Sequence, residues 1–121
     1  MTASIRILDD QRILEVYYSA EVLTDADLNE QRTRVAATLS RNGITKALFD
    51  ASALPQLPPL VTMLEHNMAV ASDNTLRRTR FAVVFRSVGD HERFLENTAV
   101  NRGIELRCFT SKADALTWLN R

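Results

Sequence analysis

The side chains best suited to bond-making in this sequence are two histidines and one cysteine. His66 follows Glu65 and His91 follows Asp90, so either imidazole could accept a proton near neutral pH. Neither stands in a catalytic frame. There is no Gly-x-Ser-x-Gly elbow, no phosphate-cradling glycine loop and no His-Glu-x-x-His run, and 3 glycines are too few for a Gly-rich loop. Cys108, the single cysteine, has no partner for an internal disulfide, and two histidines beside it do not complete a zinc ligand set, so neither metal nor cofactor is expected. In a strand-like run Arg107 points away from Cys108, which leaves the thiol reading as a small buried hydrophobe rather than a thiolate.

Two groupings suit binding better than catalysis. Arg77, Arg78, Arg80 and Arg86 surround an apolar run, and no acid lies between Asp73 and Asp90. Such a patch can grip a phosphate or carboxylate, and the plainer alternative is a solvated strand edge paired with acids from elsewhere in the fold. Leu60, Met63, Leu64 and Met68, with Val61 and Val70 beside them, form a wide apolar helical face. Methionines adapt to irregular space, so this face is a candidate pocket, partner groove or dimer interface, against the alternative of plain core.

The elements that must position these residues follow from periodicity and punctuation. Ile5–Leu8 and Ile13–Tyr18 read as strands joined by Asp9-Asp10-Gln11-Arg12, an antiparallel hairpin. Thr24 with Asp27 opens a helix by a capping box, Leu23 and Leu28 are spaced as its hydrophobic staple, and Asn42-Gly43-Ile44 closes it, predicting a helix over Asp25 to Arg41 with Val35, Ala36 and Leu39 inward. Lys46–Asp50 is a short buried strand, and Pro55-Gln56-Leu57-Pro58-Pro59 rules out regular structure before a helix that starts at Pro59 and runs through Ala71. Phe81–Phe85 is the clearest central strand, a helix follows over His91 to Arg102, Glu105–Phe109 makes the last strand, and Ser111 caps a final helix carrying Ala115, Leu116, Trp118 and Leu119.

The expected order is therefore β-β-α-β-α-β-α-β-α: an α/β fold with a mostly parallel five-stranded sheet covered by helices. At 121 residues the chain suits one domain, 1–121, with a single core. Fifteen basic residues balance 15 acidic ones, so no overall field would draw the protein to nucleic acid or an anionic membrane. Met1-Thr2-Ala3-Ser4 has neither a basic nor an apolar leader segment, no apolar run is long enough for a transmembrane segment, and a lone cysteine suits a reducing compartment; a cytoplasmic protein is expected.

Several local features resemble the STAS (sulphate transporter and anti-sigma-factor antagonist) family, in its SpoIIAA-like branch. They are the opening hairpin, Leu23-Thr24-Asp25-Ala26-Asp27-Leu28 at the first helix, Leu48-Phe49-Asp50 ending the third strand, Asn101-Arg102-Gly103-Ile104 before the fifth, and Phe109 through Leu119 with its Ala-x-x-Trp-Leu helix. The resemblance covers nearly the whole chain. It implies either a regulatory domain switched by phosphorylation of a serine after the third strand, or a holder of small apolar or anionic ligands. Where the family places an Asp-Ser-Ser-Gly-like switch, this chain has Leu54-Pro55-Gln56-Leu57-Pro58-Pro59-Leu60, with Ser52 beside Asp50 as a displaced candidate for phosphorylation. Ala20 stands where the family tends to have glycine, which predicts a different turn after the second strand.

The expected function is a non-catalytic binding or regulatory domain that acts through a protein partner and self-associates into a homodimer. The alternative is a carrier or sensor of a small apolar or anionic, lipid-like ligand.

Overall fold

The structure, a computed structural model, describes residues 3–19 and 21–121, so the turn expected at Ala20 lies outside the described residues. Strands β1 (Ala3–Leu8) and β2 (Ile13–Tyr18) pair antiparallel, from Ala3 opposite Tyr18 to Leu8 opposite Ile13. Arg12 ends their turn at φ 53°, an uncommon backbone for a side chain with a Cβ. Its guanidinium reaches across to the carbonyls of Asn42 (2.8 Å) and Gly43 (3.0 Å). The hairpin is thereby tied to the carboxyl end of the first helix, whose last carbonyls have no intrahelical donors.

That helix, α1 (Asp25–Asn42), is set by its ends. Thr24 Oγ1 accepts from the Asp27 N–H at 3.1 Å while Asp27 Oδ2 accepts from the Thr24 N–H at 3.0 Å, a complete capping box. Gly43 takes a left-handed φ of 62°, which lets the Ile44 N–H return to Leu39 O at 3.0 Å. The buried stripe is Leu28, Gln31, Val35 and Leu39, so a polar residue occupies one of its four positions.

The remaining elements are β3 (Lys46–Asp50), α2 (Leu60–Ser72), β4 (Arg80–Val84), α3 (Asp90–Val100), β5 (Glu105–Phe109) and α4 (Lys112–Leu119). Among the described residues they complete an α/β fold with one five-stranded sheet in the order β1-β2-β3-β4-β5 and four α-helices. The expectation of a mostly parallel sheet is corrected: the sheet is mixed, with β1 antiparallel to β2 and the other three pairs parallel. A tight four-residue link from Asp9 to Arg12 permits only an antiparallel return, whereas each later strand comes back through a helix. The order of elements also departs from the expected one, because a 3₁₀ turn, Leu76–Arg78, stands between α2 and β4. Asp73 makes that turn: its Oδ1 accepts from the N–H groups of Thr75 and Leu76, both at 2.9 Å.

Three successive crossovers step the same way across the sheet, and a common hand puts α1, α2 and α3 on one face. The larger core lies there, with Leu14, Val16, Ala47, Phe81 and Val83 of the sheet under Leu28, Val35, Leu39, Val70 and Ala99 of the helices. Helix α4 covers the other face, where Ala115, Trp118 and Leu119 pack on Ile13, Leu48, Ala82 and Val84. Among the described residues no helix is long and apolar enough to cross a membrane.

Candidate functional site

Between the sheet and α2 the larger core is incompletely filled, leaving a pocket of about 90 Å³ with an almost wholly apolar lining. Its floor is a row of rings on adjacent strands. Tyr18 and Phe49 have centroids 6.2 Å apart, and Phe49 and Phe81 5.9 Å, in tilted contacts of the kind aromatic quadrupoles favour. Its roof is the inner stripe of α2, where Met63, Asn67 and Val70 are buried at helical spacing. Leu54, Leu57 and Pro58, from the proline-rich loop after β3, close one end. That loop is anchored where His91 Nε2 donates to Pro58 O at 3.1 Å and where the Ala51 N–H donates to Val84 O at 2.8 Å.

A few polar groups are set in or just behind this wall. The Tyr18 hydroxyl accepts a hydrogen bond from Gln31 Nε2, and Gln31 Oε1 is buried without a hydrogen-bond partner. Burial pushes the Tyr18 phenol well above its ordinary range, and the Gln31 bond offsets only part of that effect. Asn67 uses its amide N–H groups on α3, donating to Leu95 O at 3.1 Å and to Thr98 Oγ1 at 2.7 Å. Those bonds leave its carbonyl oxygen as an acceptor.

His66 stands in the wall between this pocket and a polar cleft of about 200 Å³ that runs between α1 and α2. Asp25, Asn29 and Arg32 line the cleft from α1, and Thr62 and Glu65 from α2. Arg32 Nη1 lies 2.8 Å from His66 Nδ1 and Arg32 Nη2 donates to Asn29 Oδ1 at 2.5 Å. A guanidinium can only donate, so Nδ1 accepts and the ring carries its proton on Nε2. Burial, with the Arg32 charge adding to it, lowers the pKa of His66 from 6.5 to about 4 and keeps the ring neutral.

The face expected from sequence divides in two. Met63 is buried in the pocket, whereas Leu60 and Met68 point outward, 46% and 49% exposed, with Leu64 partly buried and Val61 67% exposed. The arginines do not act together. Arg77 and Arg78 are exposed on the 3₁₀ turn, while Arg80 pairs with Glu105 at 3.2 Å, donates to Trp118 O at 2.7 Å and lies 4.4 Å over the Trp118 ring. An acid from the neighbouring strand thus reaches Arg80, the plainer alternative for that residue. Ser52 is partly buried and its hydroxyl donates to Asp50 Oδ1 at 2.6 Å, so a phosphate added there would meet a carboxylate. Cys108 is partly buried, with its thiol pushed up to about 12 by burial and by Glu96 and Glu92.

Tyr18, Gln31 and Asn67 were not singled out from sequence. A signal existed for two of them: Gln31 interrupts an otherwise apolar stripe with Leu28, Val35 and Leu39, and Asn67 sits four residues after Met63 and three before Val70. Polar amides at core spacing mark buried hydrogen-bonding positions.

Comparison with known proteins adds the fold alone. No protein-family model matches the chain, and no curated protein matches it. A solved structure that it resembles is the NMR structure of the protein TM1081, with a TM-score of 0.64 and 17% identity over 100% of this chain and 90% of that one.

Proposed function

We propose that this chain is a non-catalytic binding domain of the SpoIIAA-like branch of the STAS family, a carrier or sensor that holds a small, largely apolar molecule beneath α2. The observation that carries this reading is the apolar pocket of about 90 Å³, whose lining includes the Asn67 amide and Tyr18. Protein cores pack as tightly as organic crystals, so an unfilled apolar space with convergent polar groups is the usual form of a ligand site. Bond-making has little support. His66 Nδ1 is engaged by Arg32, His91 Nε2 is engaged by Pro58 O, and the Cys108 thiol is held far from its thiolate. A cytoplasmic setting accords with the lone cysteine.

Native mass spectrometry of the purified protein beside Val70→Phe, which projects a ring into the pocket, tests the reading. Extra mass on the native chain and none on the variant is expected. A bare chain in both, from more than one expression host, would sink it.

A second reading is favoured by the outer surface of α2. Leu60, Val61 and Met68 expose a contiguous apolar stripe on a helix whose inner face is already packed. A regulatory domain acting through a protein partner would dock there, and a homodimer over the same stripe is its simplest form. Sedimentation velocity should show a dimer that Val61→Asp and Met68→Asp convert to monomer. A monomer at high concentration for the native chain would count against self-association.

A further inference from the structure

We infer that Asn67 selects what the pocket beneath α2 holds: an uncharged molecule that presents an O–H or N–H donor to the Asn67 carbonyl oxygen. This inference rests on the pocket reading above and narrows its ligand. Asn67 lines the pocket and is only 2% exposed, a polar side chain with the burial of a core residue. Both hydrogens of its amide go to α3, to Leu95 O at 3.1 Å and to Thr98 Oγ1 at 2.7 Å. Leu95 O can only accept, so these bonds fix which end of the amide is nitrogen and leave Oδ1 as the end that α3 does not engage.

No described residue donates to that oxygen. Nor is it sealed in. Among the described residues, the unpaired side-chain oxygens closed off from any access are Glu15 Oε2 and Gln31 Oε1, and Asn67 Oδ1 is not one of them. Asn67 lines the apolar pocket and does not line the neighbouring polar cleft, so the open side of Oδ1 is the pocket side. An unpaired acceptor in an apolar wall is costly, and a donor on a bound molecule removes that cost.

Charge sets the other limit. No lysine, arginine, aspartate or glutamate lines the pocket, and His66 at its edge is neutral near pH 7. An ammonium or a carboxylate would lose its hydration there without gaining a countercharge. A carboxylate fails twice, since it has no hydrogen to offer an amide oxygen. Size sets the scale: a dry cavity of roughly 150 Å³ takes up benzene. The present pocket of about 90 Å³ suits a chain of a few carbons, and Met63 in its wall is flexible enough to admit somewhat more.

The test is an NMR titration of the intact protein with butan-1-ol, its isomer diethyl ether, pentane, and butylamine at pH 7, followed at the methyls of Met63, Val70 and Leu95. The first three match in heavy-atom count, and of them only the alcohol can donate. Butan-1-ol should bind on the order of tenfold more tightly than diethyl ether, pentane should bind, and the cationic amine should not. Asn67→Leu keeps the approximate shape and removes the acceptor; Thr98 Oγ1 retains its bond to Phe94 O at 2.8 Å. In that variant the preference for the alcohol over the ether should vanish while pentane still binds, which shows that the pocket remains formed. Should the variant not fold, the alcohol-to-ether ratio on the native chain decides alone. Equal affinities for the two isomers on the native chain, a preference that survives Asn67→Leu, or butylamine binding as tightly as butan-1-ol overturns the inference while the pocket reading stands. If none of the four binds, the inference and the pocket reading fail together.

Discussion

Arg32 Nη1 approaches His66 Nδ1 to 2.8 Å, so the histidine in the pocket wall is held by an arginine rather than by a carboxylate. A carboxylate would raise the imidazole's proton affinity; a guanidinium opposes protonation and adds to the effect of burial. This contact locks α1 to α2 in one protonation state.

Stability should therefore depend on pH through His66. Its folded pKa of about 4 lies below its ordinary 6.5, so as the pH falls the unfolded chain takes up the proton first. The contribution is fully present above 6.5, declines between 6.5 and 4, and is constant below, a total of at most about 3 kcal/mol. Urea unfolding across that range should show a smaller slope for His66→Gln, whose amide oxygen can still accept from Arg32. An unchanged slope would contradict the assignment.

Met63 fixes the volume of the pocket. It is 3% exposed, and Met63→Ala should cost about 2–4 kcal/mol in urea unfolding, since removing a buried side chain leaves a larger void. The same variant should take up benzene, which the native pocket of about 90 Å³ is too small to admit without movement. Met68→Ala, on the outer face of the same helix, should change stability by less than about 0.5 kcal/mol.

On the opposite face of the sheet Glu15 joins three elements. Burial alone would raise its carboxyl, but Lys112 (2.6 Å) and Arg6 (2.5 Å) outweigh that and hold it below its ordinary 4.5. Lys112 opens α4, so the contact pins that helix to the sheet, although it meets Glu15 Oε2 as an ionic contact and not as an aligned hydrogen bond. Arg6 is largely exposed and Lys112 nearly half exposed, which limits the cost of Glu15→Gln to about 1–2 kcal/mol at pH 7. The carboxylate is stabilising above 4.5 and the benefit is lost as the pH falls through the lower folded value, so the gap between native and variant should close on acidification.

Cys108 should be inert while the protein is folded. Its Sγ lies 3.6 Å from Glu92 O beneath α3, and its pKa of about 12 leaves almost no thiolate near neutrality. Alkylation by iodoacetamide at pH 8 should be slower in the folded chain than in urea by a factor on the order of 10² to 10³. Equal rates would show that the thiol is not held where the structure puts it.

What could be read from the sequence was local. Thr24 with Asp27, Gly43 before Ile44, and Ser111 before the last helix fix helix ends through hydrogen bonds that span only a few residues, and all three are found in the structure. The alternation of Leu14 and Val16 with Ile13 and Glu15 is likewise a property of one strand. Helix α2 marks where that legibility stops. Apolar residues cover a wide arc of it, so periodicity could not tell the inward Met63 from the outward Leu60 and Met68. The inward side carries Met63, Asn67 and Val70, and there the Asn67 amide donates to Leu95 O and Thr98 Oγ1 on α3.

The sequence alone determined that each strand from β2 onward is followed by a helix and where α1 and α4 begin, because those depend on neighbours along the chain. Only the tertiary structure decided that Tyr18, Phe49, Met63 and Asn67 meet around one space, that Arg32 rather than an acid holds His66, and that Arg80 is engaged by Glu105 and Trp118. Their separations in sequence are bridged by the crossovers, and whether a side chain fills a core or leaves a pocket depends on how well surfaces from distant segments interlock, which no local pattern encodes.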